Sequence, residues 1–263
     1  MIQSRNSMKK LITCCVFISA NASAATWSQT QLHFNQGDFL NPLTNEKSST
    51  QVATLQHSSS YQLGDNFFFV DFIKDNHTDG YQDNEYYGEF YSSISFSKAT
   101  SKHISFGALK DVGAVIGVNA AGDANVVKYL PGIKLYWDVP GFAFFNTLIT
   151  GYLDDNGGLI SGGAPAESDS WMIDTAWGLP FNIGNQRFNF TGHIEYIDGR
   201  QNELGKEVNS WVLAQPILQW DLGHALEFEE NTLLLGVKWQ VWHNKLGTDN
   251  NESAPQLHVA WTF

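Results

Sequence analysis

Hydrophobic and polar residues alternate with a period of two along most of the chain, from about residue 26 to the end. The last segment is typical, because Leu257, Val259, Trp261 and Phe263 alternate with polar or small residues. Such alternation predicts half-buried β-strands, and helical periodicity is nearly absent. We predict twelve strands, near residues 26–34, 51–61, 66–73, 85–97, 103–110, 126–139, 142–153, 169–179, 186–197, 208–220, 232–243 and 256–263.

The predicted connections between strands alternate in length. The odd-numbered connections are long, at 35–50, 74–84, 111–125, 154–168, 198–207 and 244–255. The even-numbered ones are shorter, at 62–65, 98–102, 140–141, 180–185 and 221–231, and the last of these breaks the pattern mildly. Long loops at one end and tight turns at the other are typical of an outer-membrane barrel. A Greek-key sandwich has no reason to sort its connections in this way.

The tryptophans support the same fold class, because none of the nine lies in a predicted long loop. Two belts are expected at the membrane interfaces of a barrel. One belt would hold Trp27, Trp137, Trp177, Trp220 and Trp261, and the other Trp171, Trp211 and Trp242. We therefore predict an all-β protein, a transmembrane antiparallel β-barrel of about 12 strands.

The polar faces of the predicted strands carry charges of both signs. A charge on the lipid-facing side near the bilayer midplane costs about 2–4 kcal/mol, so these faces are expected to line the lumen. Phe67 and Phe69 join them if the register of 66–72 is correct, and a register error is the open alternative. Our candidate pore-lining or solute-binding residues are Phe67, Phe69, Asp71, Glu85, Tyr87, Glu89, Tyr91, Lys128, Lys134, Tyr136, Asp174, Arg187, Asn189, His193, Glu195, Lys238 and Trp242.

Pro216 lies inside a predicted strand. Proline cannot donate a ladder hydrogen bond, so we expect a bulge or a break there.

The N-terminus has the features of a secretory signal peptide. Basic residues precede the apolar run 11–20, and an A-x-A cleavage site follows at 22–24. The run is too short for a membrane anchor, and a lipoprotein box near Cys14 would cut it too early. We predict a signal peptide at 1–24 and an outer-membrane barrel at 25–263.

Charge and cysteine content narrow the functional classes. Cleavage would remove Arg5, Lys9, Lys10 and both cysteines, which takes the net charge from −12 to −15. Nucleic acid is then excluded as a partner, because binding it needs a basic surface. The predicted long loops carry more acidic than basic residues, which we interpret as solvation of exposed loops rather than a cation site.

Several segments carry a family resemblance: NFFFVDFIKDN at 66–76, EFYSSISFSKATSKHISFGALKDV at 89–112, LPGIKLYWDVPGF at 130–142 and DTAWGLPFNIGNQRFNFTGHIEYIDG at 174–199. With the terminal PQLHVAWTF, they resemble the Tsx-like nucleoside-specific outer-membrane channels, which include the OmpK-type proteins. The resemblance implies a monomeric twelve-stranded barrel with a narrow pore that passes nucleosides passively. If the odd-numbered connections face outward, both termini lie in the periplasm. It also implies that the barrel-assembly machinery reads Phe263.

Two other functions stay open at this point. A lipid hydrolase would need a serine, a histidine and an orienting carboxamide or carboxylate together, and residues 57–60 (HSSS) are the one suggestive cluster. A closed receptor barrel would use its acidic loops for docking. No H-E-x-x-H or nucleophile-elbow motif occurs, and we predict no enzyme activity, no cofactor and no metal.

Overall fold

A computed structural model describes residues 25–263, and the predicted signal peptide lies outside the described residues. The β-strands are β1 Trp27–Leu40, β2 Lys47–Ser60, β3 Gly64–Asp75, β4 Glu85–Ser95, β5 Leu109–Ala121, β6 Val126–Tyr129, β7 Gly132–Trp137, β8 Phe144–Asp154, β9 Ser170–Ile183, β10 Gln186–Ile197, β11 Arg200–Gln201, β12 Glu207–Val208, β13 Trp211–Ala214, β14 Ile217–Asp221, β15 Leu233–His243 and β16 Glu252–Thr262. The helices are α1 Phe96–Thr100 and α2 Leu222–Ala225, with 3₁₀ turns at Leu159–Ser161 and Lys245–Gly247. In this part of the chain no helix is long and apolar enough to cross a membrane.

The strands close into an antiparallel barrel. Neighbours along the chain pair with one another, β1 pairs with β16, and β9 joins β8 to β10. Strands β6 and β7 are two halves of one barrel strand, as are β13 and β14, so the closed sheet has twelve barrel strands. The short hairpin of β11 and β12 stands apart in a loop. The predicted fold class, an all-β antiparallel barrel of twelve strands, is confirmed.

Pro131 and Pro216 interrupt the two divided barrel strands without ending them. Between β13 and β14, the Gln215 amide donates to the His193 carbonyl at 2.9 Å, and the Pro216 carbonyl accepts from Trp239 at 2.9 Å. Opposite this break Gly192 has φ +147°, and a Cβ there would lie 2.5 Å from the Gln215 carbonyl oxygen. The break predicted at Pro216 is therefore confirmed.

The predicted fifth strand is wrong in position. Residues 111–121, expected to be a loop, lie in β5, and the connection before it, 96–108, is long and contains α1. Small residues on the inner face of β5 gave the segment its loop-like composition. They make room for large neighbours: a Cβ on Gly117 would lie 2.6 Å from the Tyr91 ring. The connection 122–125 is short in consequence, so the predicted alternation of loop lengths fails here.

The two ends of the barrel differ, and we name them by their connections. The loop end carries the connections 41–46, 76–84, 122–125, 155–169, 198–210 and 244–251. The terminal end carries both ends of the described chain and the connections 61–63, 96–108, 138–143, 184–185 and 222–232.

The outer face of the barrel is apolar. Large hydrophobic side chains are exposed on strands all around the closed sheet, among them Leu32, Phe34, Leu55, Phe72, Ile116, Ile133, Ile149, Ile194, Leu218, Val237, Trp239, Leu257 and Trp261. The inner face holds buried or half-buried polar residues such as His258 and Glu195. A soluble β-protein has the opposite arrangement, with its apolar faces in the core.

Two of the predicted interface tryptophans lie inside the barrel instead. Trp211 is buried in an apolar cluster, and Trp242 packs against that cluster. Trp171 is exposed on the outer face, as predicted, and contacts Tyr196 with ring centroids 5.2 Å apart. The belt predicted at the loop end is therefore wrong for Trp211 and Trp242. The alternation along the strands turns both rings inward, because Trp211 lies two residues from inward-facing Leu213 and Trp242 two residues from inward-facing Gln240.

Candidate functional site

The middle of the barrel interior is accessible to water. The side chains of His193 and Asp174 are 30% and 15% exposed, although both lie on the inner face. The side chains of Lys134 and Asp65 are 13% and 27% exposed. We call this region the lumen, and we include in it the inner-face residues of β3 and β4 described next.

A row of aromatic rings lies along one wall of the lumen. The ring centroids of Phe67 and Phe69 are 6.1 Å apart, and those of Phe69 and Tyr87 are 5.9 Å apart. These rings share the inner face with Tyr91, because Phe67 pairs with Tyr91 across the strands. The register of 66–72 that turns both phenylalanines inward is therefore the one observed.

Polar groups stand beside this aromatic row. The hydroxyls of Tyr87 and Tyr91 donate to the Glu89 carboxylate at 2.5 and 2.9 Å. Thr54 donates to Asp71 at 2.5 Å, and Lys238 lies half-buried on β15. Flat apolar faces and hydrogen-bonding groups thus alternate over a few residues.

Charged pairs also lie in the lumen, one of them between β7 and the strand of the aromatic row, β3. Lys134 Nζ donates to Asp65 Oδ1 at 2.5 Å, and the Tyr136 hydroxyl donates to Asp65 Oδ2 at 2.9 Å. His193 Nδ1 lies 2.9 Å from Asp174 Oδ1. These groups are held by the strands rather than by mobile loops, so their geometry is fixed by the sheet.

A chain of hydrogen bonds leads from the lumen to the loop end. His193 Nε2 lies 3.1 Å from Gln215 Oε1, and Gln215 Nε2 donates to Gln240 Oε1 at 2.5 Å. Gln240 Nε2 then donates to Glu252 Oε1 at 2.5 Å. The water-accessible histidine is thereby connected to a fully buried carboxylate.

Side chains narrow the interior at the loop end, and we call these residues the loop-end closure. One part is an apolar cluster of Leu130, Tyr152, Met172, Ile197 and Trp211. Charged groups cover it: Lys128 donates to Asp154 and Glu167, both at 2.6 Å, and Arg200 donates to Glu167 at 2.6 Å. The guanidinium of Arg200 also lies 4.4 Å from the Trp211 ring centroid.

The other part of the closure is built around Lys245, which comes from the connection between β15 and β16. Its Nζ donates to Glu252 and to the Leu40 carbonyl, both at 2.7 Å, and both charged side chains are 0% exposed. The ammonium lies between three rings: its distances to the centroids of Phe39, Tyr81 and Trp242 are 5.8, 5.4 and 5.4 Å. Burial lowers the pKa of Lys245, and the Glu252 carboxylate partly opposes that shift.

The remaining predicted residues lie at three depths along the barrel, from the loop end to the terminal end. Lys128, Glu195 and Trp242 face inward but are in contact with the loop-end closure: Trp211 Nε1 donates to Glu195 at 3.4 Å. Glu85 begins β4 at the loop end. Arg187 and Asn189 lie near the terminal end, where they bond to Glu230 and Asn231 of the connection 222–232.

The sequence reasoning missed several interior charges. Glu167, Arg200, Lys245 and Glu252 were assigned to solvated loops, but the structure places them in the loop-end closure. That interpretation of the loop charges is therefore wrong for these four residues. Periodicity could not have found Glu167 or Lys245, because a loop residue has no face to predict, whereas Glu252 begins β16 and shares the inward parity of Gln256 and His258.

Asp75, Asp79 and Asp83 are the described residues closest to a metal-binding arrangement, with carboxylate oxygens within 4.8 Å of one another. Ser48 donates to Asp75 at 2.5 Å, and the amides of residues 79 and 80 donate to Asp83. A hydrogen bond from Asn41 lowers the pKa of the Asp79 carboxyl. These bonds order the connection 76–84.

The described chain is similar in architecture to several solved β-barrels. A KdgM porin matches with a TM-score of 0.48 and 7% identity, over 89% of this chain and 99% of the porin. The translocator domain of the autotransporter NalP from Neisseria meningitidis matches with a TM-score of 0.39 and 9% identity, over 99% of this chain and 96% of that domain. No family model and no curated protein matches the chain.

Proposed function

We propose that the chain forms an outer-membrane channel for passive diffusion of small hydrophilic solutes, with nucleosides as the preferred solute. One observation carries this proposal: a lumen with water-accessible charged groups lies inside a barrel whose outer face is apolar. Closed barrels satisfy every backbone hydrogen bond within the sheet, which is a condition for crossing hydrocarbon. The outer membrane is where such barrels are found.

The lumen chemistry supports a solute with a flat ring and several hydroxyl groups. The half-buried rings of Phe67, Phe69 and Tyr87 can stack on a nucleobase, at about 1–3 kcal/mol per base. Glu89 and Asp71 can accept hydrogen bonds from sugar hydroxyls. The sequence segments that resemble nucleoside channels point to the same class of solute, and Phe67 and Phe69 of the aromatic row lie in the first of them.

Passive transport also requires that the solute leave again. Sites must be weak and multiple for this, and the lumen offers several partly hydrated groups rather than one enclosed pocket. The loop-end closure narrows the path, so we expect it to limit the rate of passage. The channel is proposed to act as a monomer with both termini in the periplasm.

Liposome swelling tests the proposal. Vesicles that contain the purified protein are diluted into isotonic nucleoside or into a sugar of similar mass, and the swelling rates are compared. Faster swelling in nucleoside supports a nucleoside channel. Equal rates would reduce the proposal to a general pore, and no swelling above protein-free vesicles would overturn the channel itself.

A matched pair of variants isolates the aromatic row. Phe69→Ala removes the central ring of the row, whereas Phe72→Ala removes an exposed ring from the outer face of the same strand. We expect Phe69→Ala to lower the nucleoside preference several-fold, by the loss of about 1 kcal/mol or more of stacking. Phe72→Ala should leave the preference unchanged; an equal loss in both variants would argue against stacking in the lumen.

A lipid hydrolase is the second candidate that the sequence left open, and its suggestive cluster has structural contacts. His57 Nδ1 is bonded to Thr30 Oγ1 at 2.8 Å, and its ring stacks on Phe68 with centroids 5.4 Å apart. These contacts hold the ring within the outer face of the sheet. A lipase assay that detects turnover lost in His57→Ala would favour the hydrolase.

We propose that Phe263 is read by the barrel-assembly machinery. Phe263 follows β16, its side chain is exposed, and its amide donates to the Thr30 carbonyl at 3.0 Å. A fixed backbone with a free aromatic ring suits recognition by another protein. Deleting Phe263 should lower the amount of folded barrel in the outer membrane, whereas Phe263→Tyr should not.

A further inference from the structure

The segment 96–110 at the terminal end differs in charge from the rest of the chain. It contains Lys98, Lys102 and Lys110 and no acidic residue, whereas the whole chain has a net charge of −12. It includes α1 and the connection into β5. This stretch of the terminal end is therefore cationic in a protein that is acidic as a whole.

The lysines of this segment are free to meet a partner. All three are exposed, and within residues 25–263 none of them takes part in an ion pair. The nearest acid in sequence, Asp111, is turned inward: Ser95 donates to its carboxylate, as does the Ser97 amide at 3.1 Å. Asp111 is therefore bonded to serine side-chain and backbone groups and not to a lysine, and the exposed Asp138, whose amide donates to the Ala108 carbonyl at 2.8 Å, forms no ion pair with the three lysines either.

Exposed apolar side chains lie among the lysines. Phe106 is 86% exposed, and Phe96 and Ile104 are also exposed. Phe96 follows Ile94 on the outward face of β4, so the segment continues the apolar outer surface of the barrel at its edge. Large exposed apolar residues next to cations are what an aqueous surface avoids and what a membrane interface accommodates.

The segment is ordered by its own hydrogen bonds. The Ser95 side chain caps α1 by accepting from the Lys98 amide at 3.1 Å, and the Ser97 side chain accepts from the Ile104 amide at 3.1 Å. Phe106 and Leu109 exchange two backbone bonds of 2.9 Å. A bulge between Leu109 and Asp111 leaves Lys110 outside the regular pairing. The cationic and apolar groups are thus presented on a defined surface.

We propose that residues 96–110 bind anionic phospholipid headgroups of the adjacent leaflet, with Phe106 and Ile104 in the interface and the three lysines on the phosphates. The proposal rests on the membrane location proposed above and is independent of the solute. Each lysine near an anionic membrane surface is attracted to it. Three unpaired lysines can therefore distinguish an anionic leaflet from a zwitterionic one.

Native mass spectrometry of the folded full-length barrel tests this inference. The protein is released from nanodiscs that contain phosphatidylcholine and phosphatidylglycerol in equal amounts, and the lipids that remain bound are counted. The test variant is Lys98→Gln/Lys102→Gln/Lys110→Gln. The matched control is Lys47→Gln/Lys74→Gln/Lys206→Gln, which removes three exposed lysines nearer the loop end.

We expect the wild type and the control to retain phosphatidylglycerol in preference, and the test variant to lose that preference by about tenfold or more. A Lys→Arg triple variant at 98, 102 and 110 should keep it. The inference is overturned if the test variant retains phosphatidylglycerol as the control does, or if the wild type shows no preference.

A heat-modifiable band on a gel confirms that each variant is folded. Cross-linking of the segment to an acidic periplasmic protein, without any lipid preference, would identify a protein-docking surface and overturn the lipid inference. Liposome swelling by the test variant is expected to equal the wild type, so failure here leaves the channel proposal untouched.

Discussion

The loop-end closure and the lumen are built from the same kinds of residues but differ in their access to water. Lys245 and Glu252 in the closure are 0% exposed, whereas His193 and Asp174 in the lumen are 30% and 15% exposed. The energies of the two pairs differ for this reason. Removing one partner of a fully buried ion pair strongly destabilises the folded protein. Removing one partner of a hydrated pair costs little stability.

We therefore expect residues of the loop-end closure to determine the stability of the barrel and residues of the lumen to determine its solute selectivity. The closure combines its charges with packed apolar side chains, so its residues serve the fold and limit passage. The lumen leaves its charges partly hydrated beside the aromatic row, so its residues can exchange water for a solute. A hydrogen-bond chain through Gln215 and Gln240 joins the two regions.

The largest effect is expected from Lys245→Met. The change leaves the buried Glu252 carboxylate without its ion partner, and we expect a loss of about 3–5 kcal/mol in the free energy of unfolding. Urea titration of the barrel in lipid vesicles measures the free energy of unfolding. The control variant is Lys206→Met, which changes an exposed lysine. The double variant Lys245→Met/Glu252→Met should recover most of the loss; a double variant as unstable as the single one would contradict the assignment to the ion pair.

The second effect tests the close approach between β5 and Tyr91. Gly117→Val adds a side chain whose Cβ would lie only 2.6 Å from the Tyr91 ring, and overpacking of this kind costs about 1–3 kcal/mol. The expected results are a lower unfolding free energy and a displaced Tyr91. A double variant Gly117→Val/Tyr91→Ala should be less affected than the sum of its parts, and strict additivity would count against the contact.

A smaller effect is expected from Lys134→Met in the lumen. Its pair with Asp65 is partly hydrated, at 13% and 27% exposure, and Tyr136 still donates to Asp65 in the variant. We expect a loss of about 1–2 kcal/mol in stability, below that of Lys245→Met. The variant should also make the lumen more cation-selective, which reversal potentials in planar bilayers detect. A loss as large as that of Lys245→Met would erase the distinction between the two regions.

The smallest effect is expected from Arg187→Gln at the terminal end. Arg187 and Glu230 are paired there but are 41% and 48% exposed. Solvent screening reduces such pairs to no more than about 1 kcal/mol. Unfolding titrations at low and high salt should show little difference between wild type and variant. A clear loss that persists in high salt would show that the pair is less hydrated than its exposure indicates.

The sequence predicted the barrel because lipid and water impose opposite demands on alternate residues of every strand. The inward face of 66–72 and the break at Pro216 followed from the same period and from the chemistry of proline. It failed where the pattern was weak. Residues 111–121 were assigned to a loop. The inward residues of β5 are small because the Tyr91 ring packs against Gly117, and small residues hide the alternation of hydrophobic and polar positions.

Periodicity alone fixed which residues of a strand face inward, because parity along a strand is local. Which inward residues meet water was decided only by the tertiary structure. Trp211 and Trp242 pack inside the barrel, and Lys245 and Glu167 turn from connections into its mouth. These positions depend on the curvature of the closed sheet and on contacts between connections distant in sequence, such as Lys245 with Leu40. Local residue patterns carry no information about such contacts, which form only when the barrel closes.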